Sequence, residues 1–292
     1  YHSSVSAGIA GKGIHKNIVD GYRYIVQNYA PGDNIYLFGF SRGAYTVRAL
    51  CGLINNCGII KRADAKLIQT AWDYYKKAGK KYSPNGEASK EFRKEYSHPE
   101  RNVHFVGVWD TVGSLGIPFS LLGLFDRKDE FYDTKMGSNV SFARHAVAID
   151  EKRVDFAPTL WMPKPGVDLK QVWFCGVHSD VGGSYAPDKK TKTLASDTPL
   201  RWMIKEAKEA GLKFEPHLIE RLNEAILSPL HQSRRHIFRL KKILNRSLID
   251  KKFPTKIHQS VRERYQQDHE YRPKVLEELV RELGWEKIDV EG

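Results

Sequence analysis

The sequence predicts an α/β protein with a mainly parallel sheet flanked by helices. Two observations point there. Short apolar runs rich in β-branched and aromatic residues are separated by longer segments of helical character, the pattern of strands joined by crossovers. The two later runs end in a polar residue followed by glycines, at the carboxyl ends where open sheets gather their chemistry.

Each element has its own reason. Ile14, Ile18, Tyr22, Ile25, Val26 and Tyr29 recur near three- and four-residue spacing, so residues 14–29 predict a helix with one apolar stripe. Pro31-Gly32-Asp33 breaks it. Residues 34–40 form a short apolar and aromatic run that reads as a buried strand, and a helix starts at Arg42. Residues 63–100 are polar, charged and aromatic, and predict helices around a loop at Ser83-Pro84-Asn85-Gly86. Val103–Trp109 and Gln171–Val177 predict a second and a third buried strand. Beyond Pro199 the chain is expected to be mostly helical, with helices over Leu200–Ala207, Leu218–Leu227 and Leu276–Leu283, the first stopping at Gly211 and the last at Gly284. The expected organisation is a single domain, its core at about 14–190 and a helical elaboration at about 196–292.

Composition narrows the class. The 292 residues are 41% hydrophobic and 28% charged, as in ordinary globular proteins, and no stretch approaches the roughly 20 apolar residues of a membrane-spanning helix. The first residues do not read as a signal peptide. Cys51, Cys57 and Cys175 lack paired spacing, so they are expected to be small buried apolar residues in a chain made in a reducing, cytoplasmic compartment. No metal-ligand spacing is present, and no cofactor is expected. The net charge of +12 favours anionic partners such as nucleic acid or phospholipid headgroups, an anionic membrane surface among them, or else serves general solubility. Much of the excess follows residue 230, at Arg234, Arg235, Arg239, Lys241, Lys242, Arg246, Lys251 and Lys252. Few aromatics interleave there, so a nucleic-acid surface is not expected, and the run reads first as a solvated helix face.

The chemistry starts at Gly39-Phe40-Ser41-Arg42-Gly43, placed between a strand and a helix. Gly-x-Ser-x-Gly there makes a turn so tight that the serine backbone is strained, small neighbours avoid clashes, and the hydroxyl projects above the sheet. The N–H of Arg42, at the start of the helix, is a donor for a developing oxyanion. A serine nucleophile needs a base, and the base an orienting acid. The later strand ends supply Asp110 and His178, in the order Ser, Asp, His. His145, a rival base, reads as a packed histidine in a helix. Asp180 is a rival acid that caps a turn or binds a polar group, and His231 and His258 receive no catalytic role.

Four motifs together resemble a known family: Gly39-Phe40-Ser41-Arg42-Gly43-Ala44-Tyr45, Trp109-Asp110-Thr111-Val112-Gly113, Arg144-His145-Ala146 with Asp150-Glu151-Lys152-Arg153, and Gly176-Val177-His178-Ser179-Asp180-Val181-Gly182-Gly183. In this order they are similar to the α/β-hydrolase family whose better-known members are phospholipase effectors of type VI secretion. Ile257-His258-Gln259-Ser260-Val261 and Tyr271-Arg272-Pro273 resemble its C-terminal pattern. The resemblance implies Ser41 as nucleophile, Asp110 as acid, His178 as base, and lipid esters as leading substrates. Members usually start with a strand carrying Asp-Gly-Thr. This chain begins after that point, so the second oxyanion donor has no assignment.

The expectation is therefore a serine esterase acting on lipid or phospholipid esters through an acyl-enzyme. A small-ester esterase, a thioesterase, an acyltransferase and a catalytically silent basic binding module stay open beside it. Delivery to another compartment or cell and the oligomeric state are not readable. Residues 113–125 are rich in Leu, Ile and Phe yet broken by glycines and a proline. They are expected either to cover the site as a lid on the Ser41 side of the sheet or to pack as a short buried helix.

Overall fold

The computed structural model describes residues 7–77, 79–112, 136–234, 242–249 and 255–292, with residues 7–12 described by backbone alone. The proposed lid at 113–125 lies outside the described residues, as do Arg235, Arg239, Lys241, Lys251 and Lys252 of the basic run.

In chain order the elements are α1 (Ala7–Asn28), β1 (Tyr36–Phe40), α2 (Arg42–Cys57), α3 (Ala65–Lys76), α4 (Glu87–Tyr96), β2 (Val103–Trp109), β3 (Val140–Ala148) and β4 (Asp168–Phe174). Then follow α5 (His178–Gly182), α6 (Asp197–Glu209), α7 (Pro216–Ile219), β5 (Lys256–His258), α8 (Gln259–Gln267), α9 (Lys274–Leu283) and β6 (Asp289–Glu291). Among the described residues six strands form a parallel sheet in the order β1-β2-β3-β4-β5-β6.

The chain divides into two compact units. The first comprises residues 1–106, 117–143 and 161–168; the second comprises 107–116, 144–160 and 169–292.

In the first unit α1 buries Ile14, Ile18, Tyr22, Ile25 and Val26, the stripe its periodicity predicts. The Tyr22 hydroxyl donates to the Gly58 carbonyl at 2.8 Å, and a Cβ on Gly21 would sit 3.3 Å from Leu50 of α2. Asp64 caps α3 by accepting the N–H groups of Lys66 and Leu67. Strand β1 is not the buried strand its sequence suggests. Its residues are half-buried or exposed, with Phe38 38% exposed, because among the described residues β1 is the first strand in the sheet order and has one partner.

In the second unit a core gathers Val147 and Ile149, Trp173, Leu248, Ile257, Val261, Leu276 and Leu279. In β5 and β6, Ile257 pairs with Val290 and His258 with Glu291. Buried Glu206 on α6 accepts from Arg144 of β3 and, at 2.8 Å, from Lys170 of β4; Lys170 also reaches Glu291 of β6 at 2.7 Å. These ion pairs satisfy charges that apolar packing alone would strand.

His145 lies in β3, not in a helix, since an apolar run of this length is compatible with either period and the sheet decides. The helix expected over 218–227 is only the short α7, ending at Ile219. The C-terminal region, expected to be helical, contributes β5 and β6, each too short to register as an apolar run. Cys51 and Cys57 are buried, but Cys175 is only partly so. Burial pushes the Cys57 thiol up to about 12, and burial together with Asp150 does the same to Cys175, so neither is a thiolate nucleophile at neutral pH.

Candidate active site

The first unit carries the serine turn. Strand β1 ends at Phe40 and α2 begins at Arg42, so Ser41 alone makes the connection, at φ 56° and ψ −119°. Positive φ is costly for a residue with a Cβ and persists only where the surroundings impose it. Gly39 shows what imposes it: a Cβ there would stand 2.4 Å from the carbonyl oxygen of Gly43. Gly43 differs from expectation, because a Cβ there would meet nothing within 4 Å. Ser41 sits at the N-terminus of α2, yet its side chain makes no capping bond, unlike Asp64 at α3. The Arg42 N–H occupies the first turn of α2, where backbone donors have no intrahelical acceptor.

The second unit brings Asp110 and His178 together. Asp110 follows β2 at φ 40°, and His178 opens α5 just beyond β4. Gly176 makes that approach possible. It has φ 101°, and a Cβ on it would lie 2.5 Å from the Cβ of Asp180. His178 Nδ1 is 2.7 Å from Asp110 Oδ2, and both side chains are buried. The Asp110 carboxylate also accepts the N–H of Ala148 at 2.9 Å. It further receives both Arg246 terminal nitrogens, Nη1 on Oδ1 at 2.6 Å and Nη2 on Oδ2 at 2.9 Å. Burial by itself would raise the pKa of this carboxyl. The Arg246 charge and the hydrogen bonds from His178 and Arg246 outweigh it, and Asp110 is held well below the usual carboxylate range. An ionised carboxylate only accepts, so His178 carries its proton on Nδ1 and presents Nε2 as the basic nitrogen. The Phe156 ring meets the imidazole edge-on at 4.9 Å, and Glu151 accepts the His178 backbone N–H at 3.3 Å.

The rivals have other partners. His145 Nε2 accepts the Thr111 N–H at 3.1 Å and Nδ1 faces Gln171 at 3.3 Å, so His145 is a buried histidine that fixes the chain just past Asp110. Asp180 accepts the N–H of Val177 at 3.0 Å and pairs with His231 Nδ1 at 2.6 Å; His231 stacks on Tyr185 with ring centroids 3.6 Å apart. His258 stacks on Phe174 at 4.7 Å. Among the described residues no group of three or more His, Cys, Asp or Glu could hold a metal ion.

Arg246 is the residue that sequence reasoning missed. It was expected on a solvated helix face and is fully buried against Asp110. The available signal is its alternation, Leu244-x-Arg246-x-Leu248, in which Asn245 and Ser247 are exposed while Arg246 and Leu248 are buried.

A parallel sheet with a strand–serine–helix turn of this kind defines the α/β-hydrolase fold class. Residues 1–206 match the family model of the Tle1-like phospholipase effectors of type VI secretion, catalytic domain, and the chain belongs to that family. An uncharacterised protein of Saccharomyces cerevisiae, YEL023C, is 31% identical over 206 residues, covering 68% of this chain and 29% of the yeast protein. The chain thus spans less than a third of that relative's length. Among solved structures, the Tle1 effector bound to the VgrG spike of the type 6 secretion system is 21% identical over 65% of this chain and 35% of its own, with a TM-score of 0.36. An uncharacterised protein from Pseudomonas aeruginosa is 20% identical over 73% of this chain and 29% of its own, also with a TM-score of 0.36. Among the described residues no helix is long and apolar enough to cross a membrane.

Proposed function

We propose that this chain hydrolyses carboxylic esters of lipids, phospholipids foremost, with Ser41 as nucleophile, His178 as general base and acid, and Asp110 as orienting acid. Membership of a phospholipase effector family supports the substrate class. The observation that carries the reading is the buried Asp110–His178 contact at 2.7 Å, which leaves His178 Nε2 as a base. The uncapped, strained Ser41 supports the nucleophile.

In the acylation step His178 Nε2 takes the Ser41 hydroxyl proton while Oγ bonds to the ester carbonyl carbon. The carbonyl oxygen becomes an oxyanion that accepts the Arg42 N–H. The intermediate collapses, the carbon–oxygen bond to the alcohol breaks, and the alcohol leaves with the proton from Nε2. Water then repeats the sequence on the acyl-enzyme, losing its proton to Nε2 and releasing the acid and the free serine. The net charge of +12 draws the protein to anionic membranes in a salt-sensitive way.

The test is turnover of phosphatidylglycerol vesicles and of a short soluble ester by the wild type and by Ser41→Ala. The expected loss is on the order of 10⁴ to 10⁶ in rate on both substrates, at unchanged stability. Substantial turnover by purified Ser41→Ala would end the reading. Activity confined to the short ester would remove lipids as substrate.

A further inference from the structure

We infer that Arg246 is a positioning residue of the hydrolytic site, a buried cation that locks the Asp110 carboxylate onto His178. This rests on the triad reading above and extends it to a segment well past residue 206, where the family match ends.

The geometry is that of a clamp. The two terminal nitrogens of Arg246 each take one oxygen of Asp110, so the fork fixes the carboxylate plane as well as its distance. The same nitrogens donate to the carbonyls of Ala148 and Phe156, both at 2.6 Å. Arg246 therefore holds both neighbours of the catalytic imidazole, the carboxylate on Nδ1 and the residue whose ring lies against its edge. The segment around it is anchored. Ile243 bridges to Arg153, Leu244 N donates to the Lys152 carbonyl at 2.9 Å, and Leu248 is packed with Val147 and Ile149.

The chemistry explains the need for a cation. Asp110 is completely buried, and burial alone favours a neutral carboxylic acid. A neutral acid would neither fix the Nδ1–H tautomer nor stabilise the imidazolium that forms during attack. A guanidinium beside it keeps the carboxylate charged, with Oδ2 shared between Arg246 Nη2 and His178 Nδ1. Among the described residues the charged or titratable groups hydrogen-bonded to Asp110 are Arg246 and His178, with the Ala148 N–H from β3. Beyond them Glu151 accepts the His178 backbone N–H, and His145 accepts the Thr111 N–H.

The experiment compares full-length wild type, Arg246→Met and Arg246→Lys. Rates on a short soluble ester are normalised to the sites that a fluorophosphonate titrates, and the Nδ1 proton of the pair is followed by proton NMR. Arg246→Met is expected to lower kcat by ~10² or more. Its KM should stay within about threefold, since no substrate contact is lost. The acid limb of its kcat/KM profile should move to higher pH as Asp110 takes up a proton, and the deshielded Nδ1 resonance should disappear. Arg246→Lys keeps the charge but not the fork, so kcat should fall about tenfold with the acid limb in place. If Arg246→Met does not fold, Arg246→Lys decides: kcat per titrated site equal to wild type overturns the inference. So does a folded Arg246→Met with kcat within about twofold of wild type and an unmoved acid limb. The NMR arm needs no turnover. A resonance present in the wild type and lost in Arg246→Met upholds the clamp even where no ester is hydrolysed, in which case the hydrolase reading fails alone. A resonance unchanged by the substitution, or absent from the wild type, overturns the clamp.

Discussion

Ser41 and Asp110 are both non-glycine residues at positive φ, 56° and 40°, yet their surroundings are built in opposite ways. The serine turn is made by its sequence neighbours: a strand that ends one residue before it, a helix that starts one residue after it, and a glycine two residues back. The Asp110 cluster is assembled from partners 38, 68 and 136 residues away, at Ala148, His178 and Arg246. A five-residue word is enough to place a backbone under strain. Holding a buried carboxylate ionised needs a whole folded unit to bring a cation and a histidine to it.

The sharpest way to break this contrast is to damage each region and ask what is lost. Asp110→Asn should cost about 10⁴ in kcat, because the amide favours the wrong imidazole tautomer. It should also cost about 3–5 kcal/mol in stability, because Arg246 is left as an uncompensated buried charge. Urea denaturation measures that second cost. Ser41→Ala should lose activity without it. Equal destabilisation by the two substitutions would contradict the division into a local and a long-range construction.

A smaller effect sharpens the same point through pH. Burial, with Lys205 adding and Glu291 opposing, lowers the pKa of His258 from 6.5 to about 4. A histidine held neutral by the fold stabilises it above its ordinary value. That contribution, about 3 kcal/mol, is lost as pH falls from about 6.5 through about 4, because only the unfolded chain takes up the proton freely. His258→Asn should flatten the stability curve over that window. An unchanged slope would mean that the stacked imidazole on Phe174 is already protonated. Ser41 carries no group that ionises in this range, so its strain should be indifferent to it.

The smallest effect lies within the serine motif. Gly39→Ala should cost about 1–3 kcal/mol, since its Cβ would strike the Gly43 carbonyl. Gly43→Ala should be neutral or stabilising by up to about 1 kcal/mol, because that position is helical and open. Thermal denaturation of the two variants separates them. Equal losses would mean that both glycines serve the turn.

The same contrast explains what could be read in advance. Helices α1, α6 and α9, strand β2 and the serine turn were legible because apolar spacing and turn residues are local signals. Strand β3 was not, since an apolar segment around His145 satisfies either period until a sheet claims it. Strands β5 and β6 are three residues each and gain their pairing from the sheet, β5 from β4 and β6 from β5. Asp110 and His178 were picked out as polar strand ends. Arg246 stood in a basic run where the short alternation with Leu244 and Leu248 is the one local mark that it turns inward, and the buried carboxylate gives it the reason to.

The most direct test of the central claim, that Ser41 is a nucleophile served by His178, is covalent labelling. The full chain would be treated with a fluorophosphonate at neutral pH, digested, and the adduct located by peptide mass spectrometry. A single adduct on Ser41 is expected in the wild type, with labelling slowed by at least ~10³ in His178→Ala and near wild-type labelling in folded His145→Ala. An adduct on another residue, or a Ser41 that labels equally fast without His178, would contradict it.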